Sequence, residues 1–375
     1  MTAVRATIES RVAAAALVTM ATKFPAALSP TGSVSPNAGP EGGAPPPRRS
    51  AALRGVDRIG DFWIVGVLIV MVVAFGLKSP DHDLFTRASW LNTSDYAVEF
   101  LILAVGETFV IITGGIDLSV GATLGFTGMV SGAVMQSMLN GHDNSLLTTV
   151  VGFAVALLLG AAIGFVNGYL ITRLKLPPFI VTLGSLTAIG AAPALINGGN
   201  EIATLPSQLT TIGSTEIGGW IYVTVVIAGA VCICMGFVLH RTRFGLRTYA
   251  IGSNNLGARR AGINVDAHLV RVYTISGVLG GLAGMMVTAN LSVAAPLAGT
   301  NDELNAIAAV VIGGASLFGG RGHMLGTVVG TFIIALLVTG LVLVGVSGSW
   351  QQVATGIIIV AAVAVDQVRL RLAER

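Results

Sequence analysis

Charge is the first thing this sequence lacks. Only 10% of its 375 residues are Asp, Glu, Lys or Arg, against about 25% in a soluble domain, which excludes a chain folded wholly in water. Cysteine is almost absent: Cys232 and Cys234 share one apolar run with no histidine or further cysteine beside them. That rules out a disulfide framework and leaves two small packing residues rather than a redox or metal pair. The histidines, His82, His142, His240, His268 and His323, are scattered without HExxH or other ligand spacing, so no metal site is expected. No Ser/His/Asp arrangement can be argued, and no GxxxxGKS/T phosphate loop is present. The chain is therefore read as no enzyme, and as unable to hydrolyse ATP by that route itself. Nucleic acid is excluded as a partner: the pI is near 9.1, but the basic residues are dispersed between apolar runs instead of gathered in a patch.

What is present is apolar length. Hydrophobic residues make up 53% of the chain and the mean hydropathy is +0.82. Runs of about 16–25 apolar residues match a bilayer core of roughly 30 Å. The expected fold is an all-α polytopic membrane protein; a transmembrane β-barrel calls for short alternating segments instead. Glycine, at 49 residues, suits helices that approach closely in lipid. About ten spans are expected, some short or broken at glycine, near 61–77, 96–113, 117–138, 146–170, 177–197, 218–239, 268–290, 303–317, 324–345 and 349–366. Residues 56–375 form this transmembrane domain. Residues 1–55, rich in Pro, Gly, Ser and Ala, are expected to be a disordered cytoplasmic tail, although their opening resembles a weak signal sequence. With that terminus inside, every Lys and Arg except Lys78 and Arg87 falls on the cytoplasmic side. This bias sets both termini in the cytoplasm and favours an even number of spans.

Two interruptions stand out. Between Ala97 and Met138 the only charges are Glu99, Glu107 and Asp117, and a continuous helix over that stretch would run about 63 Å, twice the bilayer core. The sequence GGIDLSVG (114–121) supplies the turn: Gly114 and Gly115 tolerate positive φ, and Asp117 is placed to cap a new helix through the Ser119 or Val120 N–H. The stretch VVIGGASLFGG (310–320) aligns with it, setting Gly114, Gly115, Leu118 and Gly121 against Gly313, Gly314, Leu317 and Gly320, and Asp117 against Ser316, another good N-cap. Paired Gly-broken helices point to the moving core of a transporter; chance likeness of Gly-rich runs is the competing account.

The longest expected cytoplasmic loop, 240–271, carries a short helix signal with Ser253 as N-cap and Gly262 as stop. Gly257, Ala258 and Ala261 are small, Leu256 and Ile263 apolar, Arg259 and Arg260 charged, with Asn255 at the start. So short a helix is unstable alone in water, so it docks on its own bundle or on a partner. Polar candidates for a translocation path are Glu107, Asn167, Thr182, Thr187, Asn197, Ser276 and Asn290, each with interhelical hydrogen bonding as its structural reading.

Taken together, GGIDLSVG (114–121), LPPFIVTLGSL (176–186), RTRFGLRTYAIGSN (241–254), AGINV (261–265), ELNAIAAVVIGGASLFGGRGHMLGTVVG (303–330) and WQQVATGIIIVAAV (350–363) resemble the permease subunits of bacterial ATP-binding cassette sugar importers of the ribose/xylose type, in a wider family that includes branched-chain amino-acid permeases. The resemblance covers nearly everything from about residue 95 to 366 and leaves out 1–55. It departs at TAIGAAPAL (187–195), where an arginine is usual, and at NNLGARR (254–260). It implies a multi-pass protein of the bacterial cell membrane, paired with a second permease copy, identical or a close paralogue. It further implies a cytoplasmic ATPase that holds ATP and Mg, an extracytoplasmic sugar-binding protein and a simple sugar as cargo, moved by alternating access. The 253–262 helix then takes the role of a coupling helix seated in an ATPase cleft. The rival reading is an ion-coupled secondary transporter, which needs midspan acids; Glu107 is the one such group in the middle of a span.

Overall fold

Apolar length fixes the elements and small side chains fix how closely they meet. The computed structural model describes residues 51–139 and 145–373. Helix α1 (Ala51–Lys78) already includes 51–55, so the last part of the expected tail is helical, while 1–50 lies outside the described residues. A 3-10 turn (Pro80–Phe85) leads to α2 (Arg87–Ile112), whose N-cap Thr86 accepts the Ser89 N–H. There follow α3 (Val120–Leu139), α4 (Ser145–Arg173), α5 (Pro178–Gly190), α6 (Ser207–Ser214), α7 (Val223–Arg241), α8 (Arg243–Ser253), α9 (Asn255–Arg260), α10 (Val265–Leu291), α11 (Asp302–Ile312), α12 (Met324–Leu343) and α13 (Gly348–Ala373). The only strands among the described residues are β1 (Glu216–Ile217) and β2 (Ile221–Tyr222), an antiparallel pair with Glu216 opposite Tyr222.

Each expected span has a helix, with three corrections. The span expected from 218 begins at Val223, because Gly218 and Gly219, both with positive φ, turn the β1–β2 hairpin first. The one expected over 177–197 stays α-helical only to Gly190. Pro193 offers no N–H to continue it, and a kinked 3-10 turn with Asn197 in the left-handed region (φ 52°) follows. The third, 303–317, stops at Ile312 and is too short to cross a bilayer alone.

Among the described residues, five helical segments are both long and apolar enough to cross: Ser145–Arg173, Pro178–Gly199, Val223–Arg241, Val265–Leu291 and Met324–Leu343. Helix α2 needs less hydropathy because it meets protein rather than lipid. Every residue from Ile102 to Ile112 is buried, and the helix packs against α10, α12, α11 and α7 in one continuous core.

The glycines do the close packing. Gly160 and Gly164 of α4 recur at helical spacing against Gly277 and Tyr273 of α10; a Cβ on either would come within 2.1 Å of a backbone carbonyl oxygen there. This is small-residue contact of the kind membrane helices use in place of a hydrophobic driving force. Gly164→Leu is therefore expected to lower the thermal unfolding temperature in detergent by several degrees, since overpacking costs about 1–3 kcal/mol even where neighbours can yield. Gly229→Leu, on α7 with open space around it, is expected to leave the transition in place.

Candidate functional site at the helix breaks

Both interruptions are built as left-handed glycine caps, one residue out of step with the sequence alignment. At the first, Gly114 has φ +83°, donates to the Ile111 carbonyl at 2.9 Å, and Gly115 reaches back to Val110 at 3.1 Å. At the second, Gly314 has φ +90°, donates to Val311 at 2.9 Å, and Ala315 reaches back to Val310 at 3.1 Å. Both are Schellman closures, so Gly114 corresponds to Gly314 and not, as aligned, to Gly313. The capping side chains keep the aligned pairing. Asp117 Oδ1 accepts the Ser119 N–H at 3.0 Å, and Ser316 Oγ accepts the Phe318 N–H at 3.4 Å. The second break is thus one residue shorter between glycine and cap. Its consequence differs as well: α3 starts at Val120, three residues after Asp117, whereas Ser316 holds a turn and the next helix, α12, waits until Met324. Ser316 is not the helix N-cap that was expected. Gly313, at φ −63°, serves close approach instead: a Cβ would lie 2.5 Å from Gly326 on α12.

The two breaks meet each other and the end of α8. The Gly320 N–H donates to the Ile112 carbonyl at 2.8 Å. A Cβ on Gly252, one residue from the end of α8, would lie 1.8 Å from that same carbonyl oxygen and 2.5 Å from the Gly320 nitrogen. A Cβ on Gly320 would lie 2.6 Å from Ser253 Oγ. Three backbones therefore touch with no room for a side chain between them.

Beyond this junction runs α9. Its N-cap is Asn254, whose Oδ1 accepts the Gly257 N–H at 2.8 Å; Ser253, the expected cap, instead closes α8. The cap moves by one because Asn254 takes the extended backbone (φ −160°). Gly262, at φ +81°, ends the turn as expected, with Ile263 N–H reaching Ala258 at 3.0 Å. Ala258 is buried against Ile251 and Val265, Gly257 is half-buried, and Asn255, Leu256, Arg259, Arg260 and Ala261 are exposed. Arg259 bonds Asp266 at 2.5 Å, and that hydrogen bond raises the guanidinium's pKa above its ordinary value. The face of α9 turned away from the protein is one leucine with two arginines, one already paired.

Asp117 organises a buried polar network on the other side of the first break. Ser119 Oγ donates to Oδ1 at 2.6 Å and Ser276 Oγ of α10 to Oδ2 at 3.1 Å. Asn167 of α4 donates to Ser119 Oγ at 2.9 Å and accepts from Ser185 of α5 at 2.5 Å. Thr182 Oγ1 donates to the Ile116 carbonyl at 3.2 Å. Three helices, α4, α5 and α10, are thus tied to the turn that Asp117 caps. Asn167, Thr182 and Ser276, singled out in the sequence, come together here. Ser119, Ser185 and Tyr273 were missed; the only sign of Tyr273 in the sequence is a phenol inside an apolar run. Its hydroxyl sits where a Gly115 Cβ would be, 2.4 Å away, and is buried without a hydrogen-bond partner. Glu107 is fully buried near the Asp117 backbone, and neither of its oxygens attains hydrogen-bonding geometry.

The other polar candidates lie elsewhere. Asn290 donates to Asp95. Asn197 holds the exposed turn after α5 through the Asn200 and Glu201 carbonyls at 3.4 and 3.2 Å. Thr187 is exposed and bonds only its own helix, to Gly184 at 2.9 Å and Leu183 at 3.2 Å. Among the described residues no group of three or more His, Cys, Asp or Glu is placed to hold a metal ion.

Residues 90–363, which contain all of this geometry, match the family described as branched-chain amino acid transport system, permease component. The chain belongs to that permease family. It is a multi-pass membrane permease and not an enzyme. Curated relatives include the ribose import permease protein of Bacillus subtilis (strain 168), 41% identical over 305 residues, 80% of this chain and 90% of that one. The ribose import permease protein of Escherichia coli (strain K12) is 36% identical over 307 residues, covering 80% and 91%. The D-allose transport system permease protein of the same strain is 36% identical over 314 residues, covering 83% and 92%. No solved structure matches this permease.

Proposed function

We propose that this permease is the membrane subunit of an ATP-binding cassette importer for a simple sugar of the ribose/xylose kind. Its cargo enters from an extracytoplasmic binding protein, and its motion comes from a separate ATPase that carries ATP and Mg. A second copy of the chain, or a close paralogue, completes the path, and both termini face the cytoplasm. Relatives named for ribose and D-allose import support a monosaccharide; both are neutral polyols, which need hydrogen-bonding partners and no counter-charge.

One observation carries the mechanism: the lead-in to α9 is wedged, at Gly252 and Ser253, between the carbonyl that closes α2 and the loop of the second break. An ATPase that grips α9 through Leu256, Arg259 and Arg260 pulls on both helix breaks at once. The half-helix α11 and the end of α2 then change angle together, and the Asp117 network opens or closes as they do. Asn167, Thr182 and Ser276 each bond the turn at residues 116–119 in the conformation described, so a sugar meets their polar atoms only when that network parts.

Ion coupling is the rival, and Glu107 is the observation in its favour. The two readings separate in proteoliposomes holding the permease, its ATPase and its binding protein, with labelled ribose as probe. Uptake is expected to require ATP inside the ATPase compartment, and Glu107→Gln is expected to retain uptake within about threefold, because the amide preserves shape and removes only a charge that is costly in a bilayer. Uptake driven by a proton or sodium gradient without ATP, and abolished by Glu107→Gln, would replace this reading with the ion-coupled one.

A further inference from the structure

Where α7 leaves the bilayer, an open pocket of about 450 Å³ is lined by Leu239, His240, Arg241, Thr242, Arg243, Leu246, Tyr249 and His323. It holds no carboxylate. Most of its polar atoms are already engaged: His240 Nε2 accepts the Met324 N–H at 3.3 Å, Tyr249 Oη donates to the Gly322 carbonyl at 2.7 Å, and Thr242 Oγ1 donates to Val238 at 2.6 Å while capping α8. The His323 ring stacks on His240 with centroids 5.7 Å apart. Arg241 and Arg243 are left over. Both are exposed, and neither makes a hydrogen bond or ion pair with any described residue.

The surroundings of these arginines are apolar and uncovered. Phe237, one turn before Arg241 on α7, is 62% exposed, Leu246 at the pocket's edge 71%, and Leu325 beside His323 80%. Helix α7 has 19 residues, about 28 Å of rise, close to a bilayer core of roughly 30 Å. Its last residues therefore stand at headgroup depth when Phe237 is among acyl chains. Helix α8, with Arg243, Leu246 and Arg247 exposed, then lies along the interface as an amphipathic helix does. Unpaired arginines above exposed apolar side chains, at that depth, complement a molecule with an anionic phosphate at one end and hydrocarbon at the other.

We propose that this pocket binds the phosphate group of an anionic phospholipid from the surrounding leaflet, with Arg241 and Arg243 on the phosphate oxygens and Leu239 and Leu246 against the glycerol and first acyl carbons. Guanidinium forks suit phosphate oxygens, and basic pockets between membrane helices are where such headgroups are held. A free phosphate ion offers the same oxygens without the acyl chains. The bound lipid pins the α7–α8 corner on which α9 hangs, and the assignment does not depend on what the permease carries.

The test is native mass spectrometry of the full chain extracted from nanodiscs of phosphatidylglycerol mixed with phosphatidylcholine, compared with Arg241→Gln/Arg243→Gln. Retained phosphatidylglycerol is expected to fall at least fivefold in the double variant, with phosphatidylcholine retention unchanged. It is expected to be unaffected by Arg259→Gln/Arg260→Gln, which removes equal charge from α9, or by 10 mM inorganic phosphate. Equal retention in the pocket variant overturns the proposal, as does an equal loss in the α9 variant, which would reduce the effect to net charge. Displacement of the lipid by inorganic phosphate would assign the pocket to a soluble anion instead. Should the double variant unfold in phosphatidylcholine nanodiscs, the single variant Arg243→Gln reads out the same ratio, with a loss of at least twofold expected and none overturning the assignment.

Discussion

Gly252→Val is expected to reduce ATP-driven uptake at least tenfold while leaving the bundle folded. The contact that would hold the new Cβ, 1.8 Å from the Ile112 carbonyl oxygen, is backbone on both sides, so no rotamer change relieves it. Overpacking against yielding side chains costs about 1–3 kcal/mol, and each 1.4 kcal/mol of bias between two conformations is roughly a tenfold shift in population. The valine separates the end of α8 from both helix breaks, so whatever moves α9 no longer moves α2 and α11 with it. The measurement is uptake together with ATP hydrolysis in the assembled complex. Hydrolysis is expected to persist while uptake is lost. Gly229→Val, in open space on α7, is the control for a change of the same size. Normal uptake in the Gly252 variant would mean that the junction transmits nothing.

Asp117→Ala is expected to cost at least about 3 kcal/mol of stability, against less than about 1.5 kcal/mol for Asp117→Asn. Removing the carboxylate strands three buried donors: the Ser119 N–H, the Ser119 hydroxyl and the Ser276 hydroxyl. Each buried donor left without an acceptor costs about 1–3 kcal/mol, reduced where the side chain can rotate to another partner. Asparagine keeps an acceptor oxygen for Ser119, and its amide can donate to Ser276 once that hydroxyl turns; what it loses is the negative charge at the start of α3, worth about 0.3–1 kcal/mol. Thermal unfolding in detergent distinguishes the two. A small and equal effect of both substitutions would show that the network is ornamental to the fold. An equally large effect would show that the charge, rather than the hydrogen bonding, is what holds the turn.

Much of this site was legible in the sequence, and the parts that were not share a cause. Gly114, Asp117 and Gly262 announce themselves because glycine tolerance of positive φ and carboxylate capping are local properties, decided within a few residues. The register of the second break was not legible. Gly313 and Gly314 are chemically identical, and which one turns left-handed depends on how tightly Gly313 packs on Gly326 of α12, a contact far away in sequence. The cap of α9 shifted from Ser253 to Asn254 for a related reason: Ser253 is held at the end of α8 beside Gly320. The β1–β2 hairpin escaped because Ile221 and Tyr222 continue an apolar run, and only the Gly218–Gly219 pair hints at the turn. Partners of Asp117 on other helices, Ser276 and through Ser119 also Asn167, are visible only once the helices are packed. Nothing in a linear pattern says which of many span serines faces a carboxylate.

The central claim is that α9 is gripped by a nucleotide-hydrolysing subunit, and cysteine cross-linking during turnover tests it most directly. With Cys232 and Cys234 replaced by alanine, Leu256→Cys on the exposed face of α9 is paired with single cysteines along the cleft of the partner ATPase. The expected result is a disulfide to the ATPase in the assembled complex, formed in high yield, whose rate changes when ATP is added and whose formation stops uptake until reductant is supplied. Uptake that proceeds with no cross-link to the ATPase at any cleft position, with or without ATP, would contradict the account.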